Sequence, residues 1–160
     1  MDNEIDLGRR KVLRASGGFG LLALFGGMGL LRTNDALAEW NKTAFSSKAM
    51  DEALTTLGAT KLESSAELIQ LTVPEIAENG AVVPVTVSSS LASVEQISIM
   101  VDKNPNVLAA MFTIPQGTEA LVTTRVKMGQ TANVVAIVKA DGKFYRTSKE
   151  VKVTAGGCGG

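Results

Sequence analysis

Residues 133–153 read NVVAIVKADGKFYRTSKEVKV. Two runs rich in Val, Ile and aromatic or β-branched residues, 133–139 and 143–153, flank the pair Asp141-Gly142. Asp-Gly favours a two-residue turn in which both central residues have positive φ, so this stretch predicts a tight antiparallel hairpin. Its second strand leads straight to the C-terminus and therefore holds the root of whatever follows it.

The same alternation of Val-, Ile- and Thr-rich runs with turn residues recurs upstream. The runs lie at 68–73, 82–87, 94–101, 107–114 and 119–127. Together with the hairpin they make seven short strands, which predicts a mainly β, immunoglobulin-like antiparallel sandwich. Pro84 lies inside the second run and cannot donate a ladder hydrogen bond, so we expect an edge strand or a bulge there.

A single helical pattern precedes the strands. Between Thr43 and Leu57 the apolar residues fall on one helical face; they are Phe45, Ala49, Met50, Ala53, Leu54 and Leu57. Ser46 or Ser47 suits the N-cap and Gly58 suits the C′ position. We expect one amphipathic helix that lies across an edge or an end of the sandwich.

The first 38 residues have the features of an export signal. Arg9-Arg10 is a twin-arginine element, and residues 15–31 form an apolar run that contains six glycines. Ala36-Leu37-Ala38 supplies a small-residue cleavage site. Because the run is short for a membrane span, we expect cleavage rather than anchoring, so that residues 1–38 are removed. The mature chain then starts at Glu39 and resides in the periplasm after export by the twin-arginine route.

The composition of the chain excludes several classes of function. Its 160 residues contain 16 Lys or Arg, 16 Asp or Glu, no His and one Cys. A neutral chain gives no electrostatic reason to bind nucleic acid or an anionic membrane. Without imidazole there is no ordinary general base and no common zinc site, so we expect no catalytic residues, no cofactor and no metal.

The C-terminal sequence Gly156-Gly157-Cys158-Gly159-Gly160 holds the only cysteine of the chain. Glycine lacks a Cβ, so we expect residues 155–160 to form a flexible arm beyond a folded domain of residues 39–154. Four residues separate Cys158 from Thr154, which allows a reach of ~14 Å. A thiol on such an arm, with no base to activate it, favours a carrier that borrows its catalysis from client enzymes.

Other interpretations of Cys158 stay open at this point. One is a secreted immunoglobulin-like interaction module that is tethered to a partner through its terminal cysteine. A second is an incidental surface thiol, although an unpaired cysteine in an oxidising compartment invites unwanted disulfides. A disulfide-linked homodimer through Cys158 is compatible with any of these functions.

For three further sets of residues, a structural role is the favoured interpretation. Asn104-Pro105-Asn106 fits a loop between two strands rather than a ligand contact. Arg125 and Lys127 alternate along a strand, which is typical of a solvated face, and presenting charge near the arm is the minority alternative. Met100, Met111 and Met128 fit gaps in a core or line an interface.

Several stretches of the chain point to one known family. They are residues 77–85, AENGAVVPV; 102–106, DKNPN; 124–128, TRVKM; 141–143, DGK; and 151–160, VKVTAGGCGG. Through them, essentially the whole mature chain resembles the SoxY family, the sulfur carriers of bacterial thiosulfate oxidation. Val107 stands where the family often has a second proline.

The resemblance implies an immunoglobulin-like fold and a role for Cys158. This cysteine would carry pathway intermediates covalently, first as a thiosulfonate and then as persulfide-type adducts. The implied partners are a SoxZ-like subunit in a heterodimer, a haem-containing transferase that loads thiosulfate, a hydrolase that releases sulfate and a sulfane dehydrogenase. The chain itself would not be an enzyme.

Overall fold

The computed structural model describes residues 41–64 and 67–154, which contain two short helices and nine strands in two sheets. The elements are α1 Lys42–Ser46, α2 Met50–Thr56, β1 Leu62–Ser64, β2 Ile69–Thr72, β3 Ile76–Ala77, β4 Val83–Ser89, β5 Val94–Val101, β6 Leu108–Thr113, β7 Leu121–Val126, β8 Ala132–Ala140 and β9 Lys143–Val153. One sheet has the order β1-β9-β8-β5-β6, with β3 also paired to β9, and the other has the order β2-β4-β7. The predicted immunoglobulin-like β-sandwich is confirmed.

The hairpin predicted at the end of the chain is present. Ala140 pairs with Lys143, and between them Asp141 and Gly142 have φ values of 48° and 70°. These two positive φ values are what a two-residue turn between right-twisted strands requires. All seven strands expected from the sequence occur, and their ends shift by at most two residues.

Two strands were not expected from the sequence, and both run parallel to β9. β1 pairs with residues 144–146, and β3 pairs with Lys152 and Val153. With three and two residues, neither is long enough to show the period-two alternation by which a strand is recognised. They follow the outer edge of β9 at its two ends, so they exist because β9 offers them a template.

The main core lies between the two sheets. Inward side chains of β4, β5 and β8 are fully buried there, and the largest belong to Ile, Leu and Met residues. The buried members include Ile69, Leu71, Val83, Val85, Val87, Ile97, Ile99, Val101, Val134, Ala136, Val138 and Met128. Alternate residues of β4 follow the inward and outward pattern of a strand with one covered face.

A second core on the outer face of the larger sheet corrects the expected position and number of helices. Ala44, Ala53 and Leu54 pack there with Val135 and Ile137. The helices therefore cover a face of the sheet, not an edge or an end. Because β8 is covered on both faces, residues 134–138 are buried without interruption. No helix within residues 41–64 and 67–154 has the length and apolarity to cross a membrane.

The expected single helix over 43–57 is broken in two. Ser47 and Ala49 have extended backbone, with ψ values of 131° and 146°. Ser47 is buried and its carbonyl accepts a hydrogen bond from Val107 N–H at 3.1 Å. This bond to the β5–β6 connection uses a carbonyl that a continuous helix would need for itself, so the tertiary contact replaces one helical turn.

The helix caps agree only partly with the expected ones. Asn41, not Ser46 or Ser47, caps α1, since its side chain accepts a hydrogen bond from Ala44 N–H at 3.1 Å. Gly58 is the C′ residue of α2 as expected, with a φ of 76°. Gly58 N–H bonds to the Thr55 carbonyl and Ala59 N–H to the Leu54 carbonyl, the paired bonds that end a helix at a left-handed residue.

The position of Pro84 differs from both alternatives expected for it. β4 is the central strand of its sheet, not an edge, and no register shift interrupts its pairing. However, β2 stops at Thr72, opposite Thr86. Pro84 therefore has a paired neighbour on one side only, Arg125, so the strand tolerates the missing donor.

Candidate functional site

The predicted site residues lie outside the described residues, and the structure shows the strand that leads to them. These residues are Cys158 and the glycines Gly156, Gly157, Gly159 and Gly160. The last described residue is Thr154, directly after β9. Residues 1–38, the expected export signal, are likewise outside the described part.

Four segments meet where β9 ends. Val151 pairs with Ala132 at the start of β8, Val101 at the end of β5 pairs with Val134, and Val83 at the start of β4 pairs with Val126. These pairings bring the ends of the strands together, and the segments at or next to those ends are residues 75–82, 102–106, 127–131 and 152–154. We call these four segments the root end.

Every backbone N–H from Lys152 to Thr154 donates a hydrogen bond. Lys152 N–H donates to the Glu75 carbonyl at 2.9 Å and Thr154 N–H to the Ala77 carbonyl at 3.1 Å. Between them, Val153 N–H donates to Thr131 Oγ1 at 3.0 Å. Alternate bonds therefore go to opposite sides of the strand, so the chain is held on both sides up to its last described residue.

Gly80 brings a second segment against this strand end. Its carbonyl accepts a hydrogen bond from Met128 N–H at 2.7 Å. A Cβ on Gly80 would overlap the Met128 carbonyl oxygen and lie 2.8 Å from Val153 Cγ1. Only glycine allows this approach of the two backbones. The sequence alone gave no sign of this contact.

Asn104 joins two loops of the root end, as its structural interpretation predicted. Its side-chain Nδ2 donates to the Lys127 carbonyl at 2.7 Å, and its Oδ1 accepts from Gly129 N–H at 3.3 Å. Both amide atoms thus bind the backbone of the β7–β8 loop. Its neighbours Pro105 and Asn106 are exposed.

Asp102 makes a second such link, from the end of β5 to β8. Its two carboxylate oxygens accept from Asn133 N–H at 2.9 Å and from Asn133 Nδ2 at 2.7 Å. Each oxygen therefore has its own donor, which fixes both side chains. The β5–β6 loop is held to the two segments that flank it.

The other residues singled out from the sequence lie where their structural interpretations place them. Arg125 is exposed in β7 and Lys127 is exposed at the root end. Met100 and Met128 are fully buried and Met111 is partly buried, which agrees with core filling. No group of three or more His, Cys, Asp or Glu side chains suited to a metal occurs within residues 41–64 and 67–154.

The opposite end of the sandwich is open. Residues 89–95, 113–120 and 140–143, which we call the cleft end, include the walls of a cleft of about 770 Å³. Glu95 accepts hydrogen bonds there from Lys139 Nζ at 2.5 Å and from Gly142 N–H at 3.0 Å. These bonds, Lys139 first, lower the pKa of the Glu95 carboxyl. The contacts hold the hairpin turn and do not involve the C-terminal strand end.

Hydrogen bonds on both sides thus hold the end of the strand that leads to the only thiol of the sequence. The family model for SoxY, sulfur oxidation protein SoxY, matches residues 53–158. The chain belongs to the SoxY family, and its role is that of a carrier in sulfur oxidation.

A solved structure supports this assignment. The sulfur carrier protein SoxY from Chlorobium limicola f thiosulfatophilum is 40% identical, with a TM-score of 0.58. The match covers 65% of this chain and 94% of that one. The two proteins are therefore similar in sequence and in the fold of the sandwich.

Two other solved structures are much less similar. The reeler domain of human F-spondin is 14% identical over 59% of this chain and 94% of its own, with a TM-score of 0.38. A chain from a structure of T-cell activation by the bacterial superantigen toxic shock syndrome toxin-1 is 13% identical over 53% of this chain and 100% of its own, with a TM-score of 0.37. These likenesses are too weak to bear on function. No curated protein matches the chain.

Proposed function

We propose that this protein is the covalent sulfur-substrate carrier of periplasmic thiosulfate oxidation and that Cys158 is the attachment residue. The observation that carries the proposal is the set of hydrogen bonds that holds the end of β9 on both sides up to Thr154. Thr154 lies four residues before the only thiol of the chain. Four glycines surround that thiol, and glycine imposes the fewest restrictions on backbone angles. The sandwich is the fixed base and residues 155–160 are the arm that swings the cargo into partner enzymes.

The chemistry of a thiol carrier can be written with balanced steps. Loading forms an S–S bond between the Cys158 sulfur and the outer sulfur of thiosulfate. The thiol loses its proton, and the haem-containing transferase would accept the two electrons. Hydrolysis of the resulting thiosulfonate adds water across the S–S bond to the sulfonate. It releases sulfate and two protons and leaves a persulfide anion on Cys158. A sulfane dehydrogenase would then oxidise the outer sulfur of the persulfide to a sulfonate. Water supplies the oxygen atoms, protons are released, and the dehydrogenase takes up the electrons.

The partner enzymes must supply the catalytic groups for each step. The chain contains no histidine, and no acidic or sulfur cluster suited to a metal exists in the part that the structure describes. A thiol nucleophile needs a base or a nearby positive charge to form its thiolate. The carrier therefore offers the sulfur, and each client pocket offers the activation.

A SoxZ-like subunit is the proposed permanent partner. Edge strand β6 gives this a structural basis, since within the described residues it pairs with β5 alone. Its sequence, LAAMFT, contains neither a charged residue nor a proline. Such an edge is usually protected from further pairing, and a β-rich subunit would provide that protection.

The experiment that tests the carrier function is an intact-mass measurement of the protein from cells that grow on thiosulfate. We expect sulfonate and sulfur mass increments on the Cys158 peptide that change with substrate and disappear with reductant. The Cys158→Ser variant should fold normally and abolish thiosulfate-dependent respiration, because serine cannot form the S–S bond. If the mutant cells respire normally, the carrier proposal is wrong. A single stable mixed disulfide with no turnover would instead indicate the tethered interaction module.

A further inference from the structure

Strand β7 is a second open edge of the sandwich. Within the described part of the chain it pairs with β4 alone, in a register without a bulge. Ser89 N–H donates to the Ala120 carbonyl at 2.9 Å, so the even-numbered residues of β7 turn their backbone groups towards β4. Pro84 lies opposite Arg125, where this alternation requires no bond between the strands. The odd-numbered residues Thr123 and Arg125 therefore present N–H and C=O groups on the open side, where another strand can bind them.

The side chains of β7 alternate between the core and the solvent. Val122 and Val126 are buried, whereas Leu121, Thr123 and Arg125 are exposed. The three exposed side chains therefore share the outer face of the smaller sheet. A strand added to this edge would continue the sheet and set its own outward side chains beside this row.

The charges along β7 have opposite signs at its two ends. Glu119 precedes the strand by two residues, while Arg125 and Lys127 lie at and just beyond its other end. All three side chains are exposed, and none of them forms an ion pair with a described residue. An identical strand laid antiparallel would set its basic end against the acidic end, once at each end of the pair. A parallel copy would set like charges together, which opposes pairing.

We infer that β7 pairs antiparallel with β7 of a second copy of this chain, with Thr123 opposite Thr123 of the partner subunit. Leu121 then faces Arg125 of the partner subunit, whose aliphatic stem can cover it. Glu119 comes opposite Lys127 of the partner subunit. The two three-stranded sheets become one sheet of six strands across a two-fold axis. This self-association does not depend on the carrier function.

Neighbouring registers fit less well. A shift by one residue would set free backbone groups opposite groups that β4 already binds. A shift by two residues in one direction sets Lys127 opposite Leu121 of the partner subunit and leaves Glu119 without a cation. The same shift in the other direction pairs residues 119–125, of which the first two lie outside β7. The register centred on Thr123 combines the full strand with both contacts between opposite charges.

Sedimentation of the chain over a range of concentrations tests the pairing, with reductant present to prevent a disulfide through Cys158. We expect a reversible and weak monomer–dimer equilibrium, because a single strand pair buries less area than a standard stable interface. Thr123→Pro removes an N–H group on the open side only, so the fold should persist while the dimer is lost. Circular dichroism checks the fold of the variant.

A charge-swap series tests the register. Glu119→Lys and Lys127→Glu each create two symmetric contacts between like charges, so each should raise the dissociation constant of the dimer about tenfold or more. The double variant restores both contacts with reversed signs and should return to within about threefold of the wild type. Lys149→Glu makes the same charge change at an exposed position of β9, and as the matched control it should stay within about twofold.

Three results would overturn the inference, and they are distinguishable. A monomer at every concentration up to the millimolar range shows that the edge stays unpaired. A dimer that persists in a folded Thr123→Pro variant uses another surface. A dimer that the double charge variant does not restore has another register or another partner strand. If Thr123→Pro fails to fold, the charge-swap series decides alone, because rescue by the double variant cannot arise from a loss of folding.

Discussion

The two ends of the sandwich are built in different ways. At the root end, side chains and backbone of separate segments bind one another: Asn104 holds the 127–129 loop, and Thr131 holds Val153. At the cleft end, Glu95 binds Lys139 and Gly142 N–H, and Ser89 N–H donates to the Ala120 carbonyl. The 115–120 loop also bonds within itself, through Thr118 N–H to the Pro115 carbonyl. The open space beside it has a volume of about 770 Å³.

The difference shows which end of the sandwich has its segments bound to the C-terminal strand. If Cys158 carries the cargo as we propose, the strand end that leads to it must start from a defined position, because any movement there adds to the uncertainty of delivery. Hydrogen bonds between neighbouring segments limit such movement. We expect the root end to be the more rigid of the two, because the end of β9 is held there on both sides while the cleft end borders an open space. The following changes test that contrast.

The largest effect is expected from Gly80→Ala at the root end. The new methyl group would overlap the Met128 carbonyl oxygen and crowd Val153 Cγ1, so backbone must move. We expect the free energy of unfolding to fall by about 2 to 4 kcal/mol, within the range of overpacking and lost backbone hydrogen bonds. Chemical denaturation of the purified protein measures this loss.

The control for this variant is Gly129→Ala in the adjoining loop. A Cβ at Gly129 meets no atom within 4 Å, and its φ is not in the left-handed region. Its unfolding free energy should therefore stay within about 0.5 kcal/mol of the wild type. Equal stability of the two variants would mean that the root end yields as easily as an open loop.

A smaller effect is expected from Asn104→Ala. The substitution removes both hydrogen bonds to the β7–β8 loop, at Lys127 and Gly129. With about 1 kcal/mol for each bond and partial exposure of the site, we expect a loss of about 1 to 2 kcal/mol. Hydrogen exchange should also speed up at Gly129 N–H, which loses its acceptor.

Asn106→Ala separates this link from a general effect of changing the loop. Asn106 is exposed in the same loop and makes no hydrogen bond within the described residues. It should leave both the stability and the exchange rates near those of the wild type. If Asn104→Ala behaves in the same way, the loops of the root end are held by something other than Asn104.

The sequence was a good guide to the strands and a poor one to the root end. Alternation and turn chemistry reveal strands because both act locally, and the Asp141-Gly142 turn is the clearest case. The approach of Gly80 to Val153 joins residues 73 positions apart, and no local pattern reports it. The expected helix over 43–57 was wrong for the same reason, since Val107 breaks it from a distance.

The expected site was recognisable only in its chemistry. A single thiol between glycines could be found from the sequence, and the family match includes that residue. Residues 75–77, which bind the end of β9, could not be identified from the sequence, because their two-residue strand has no pattern of its own. Short parallel pairing depends on the finished neighbour strand and appears only in the assembled fold.

The smallest expected effect concerns the one charged link of the cleft end and depends on pH. Lys139 and the Gly142 N–H lower the pKa of the Glu95 carboxyl in the folded state, so the folded protein favours the charged form. The resulting stabilisation is present above the ordinary pKa of a glutamate and is lost as the pH falls through the lowered value. Relative to the wild type, Glu95→Gln should therefore be less stable near neutral pH and approach it in acid.

Denaturation curves of Glu95→Gln, Lys139→Gln and the double variant at several pH values measure this link. Lys139 is the largest cause of the lowered pKa, so the Lys139→Gln background should remove most of the pH dependence of Glu95→Gln. Added salt should weaken the effect, because both side chains are partly exposed. A loss that exceeds that of Gly80→Ala would reverse the contrast, since the cleft end would then depend more on its charged link than the root end does on the packing around Gly80.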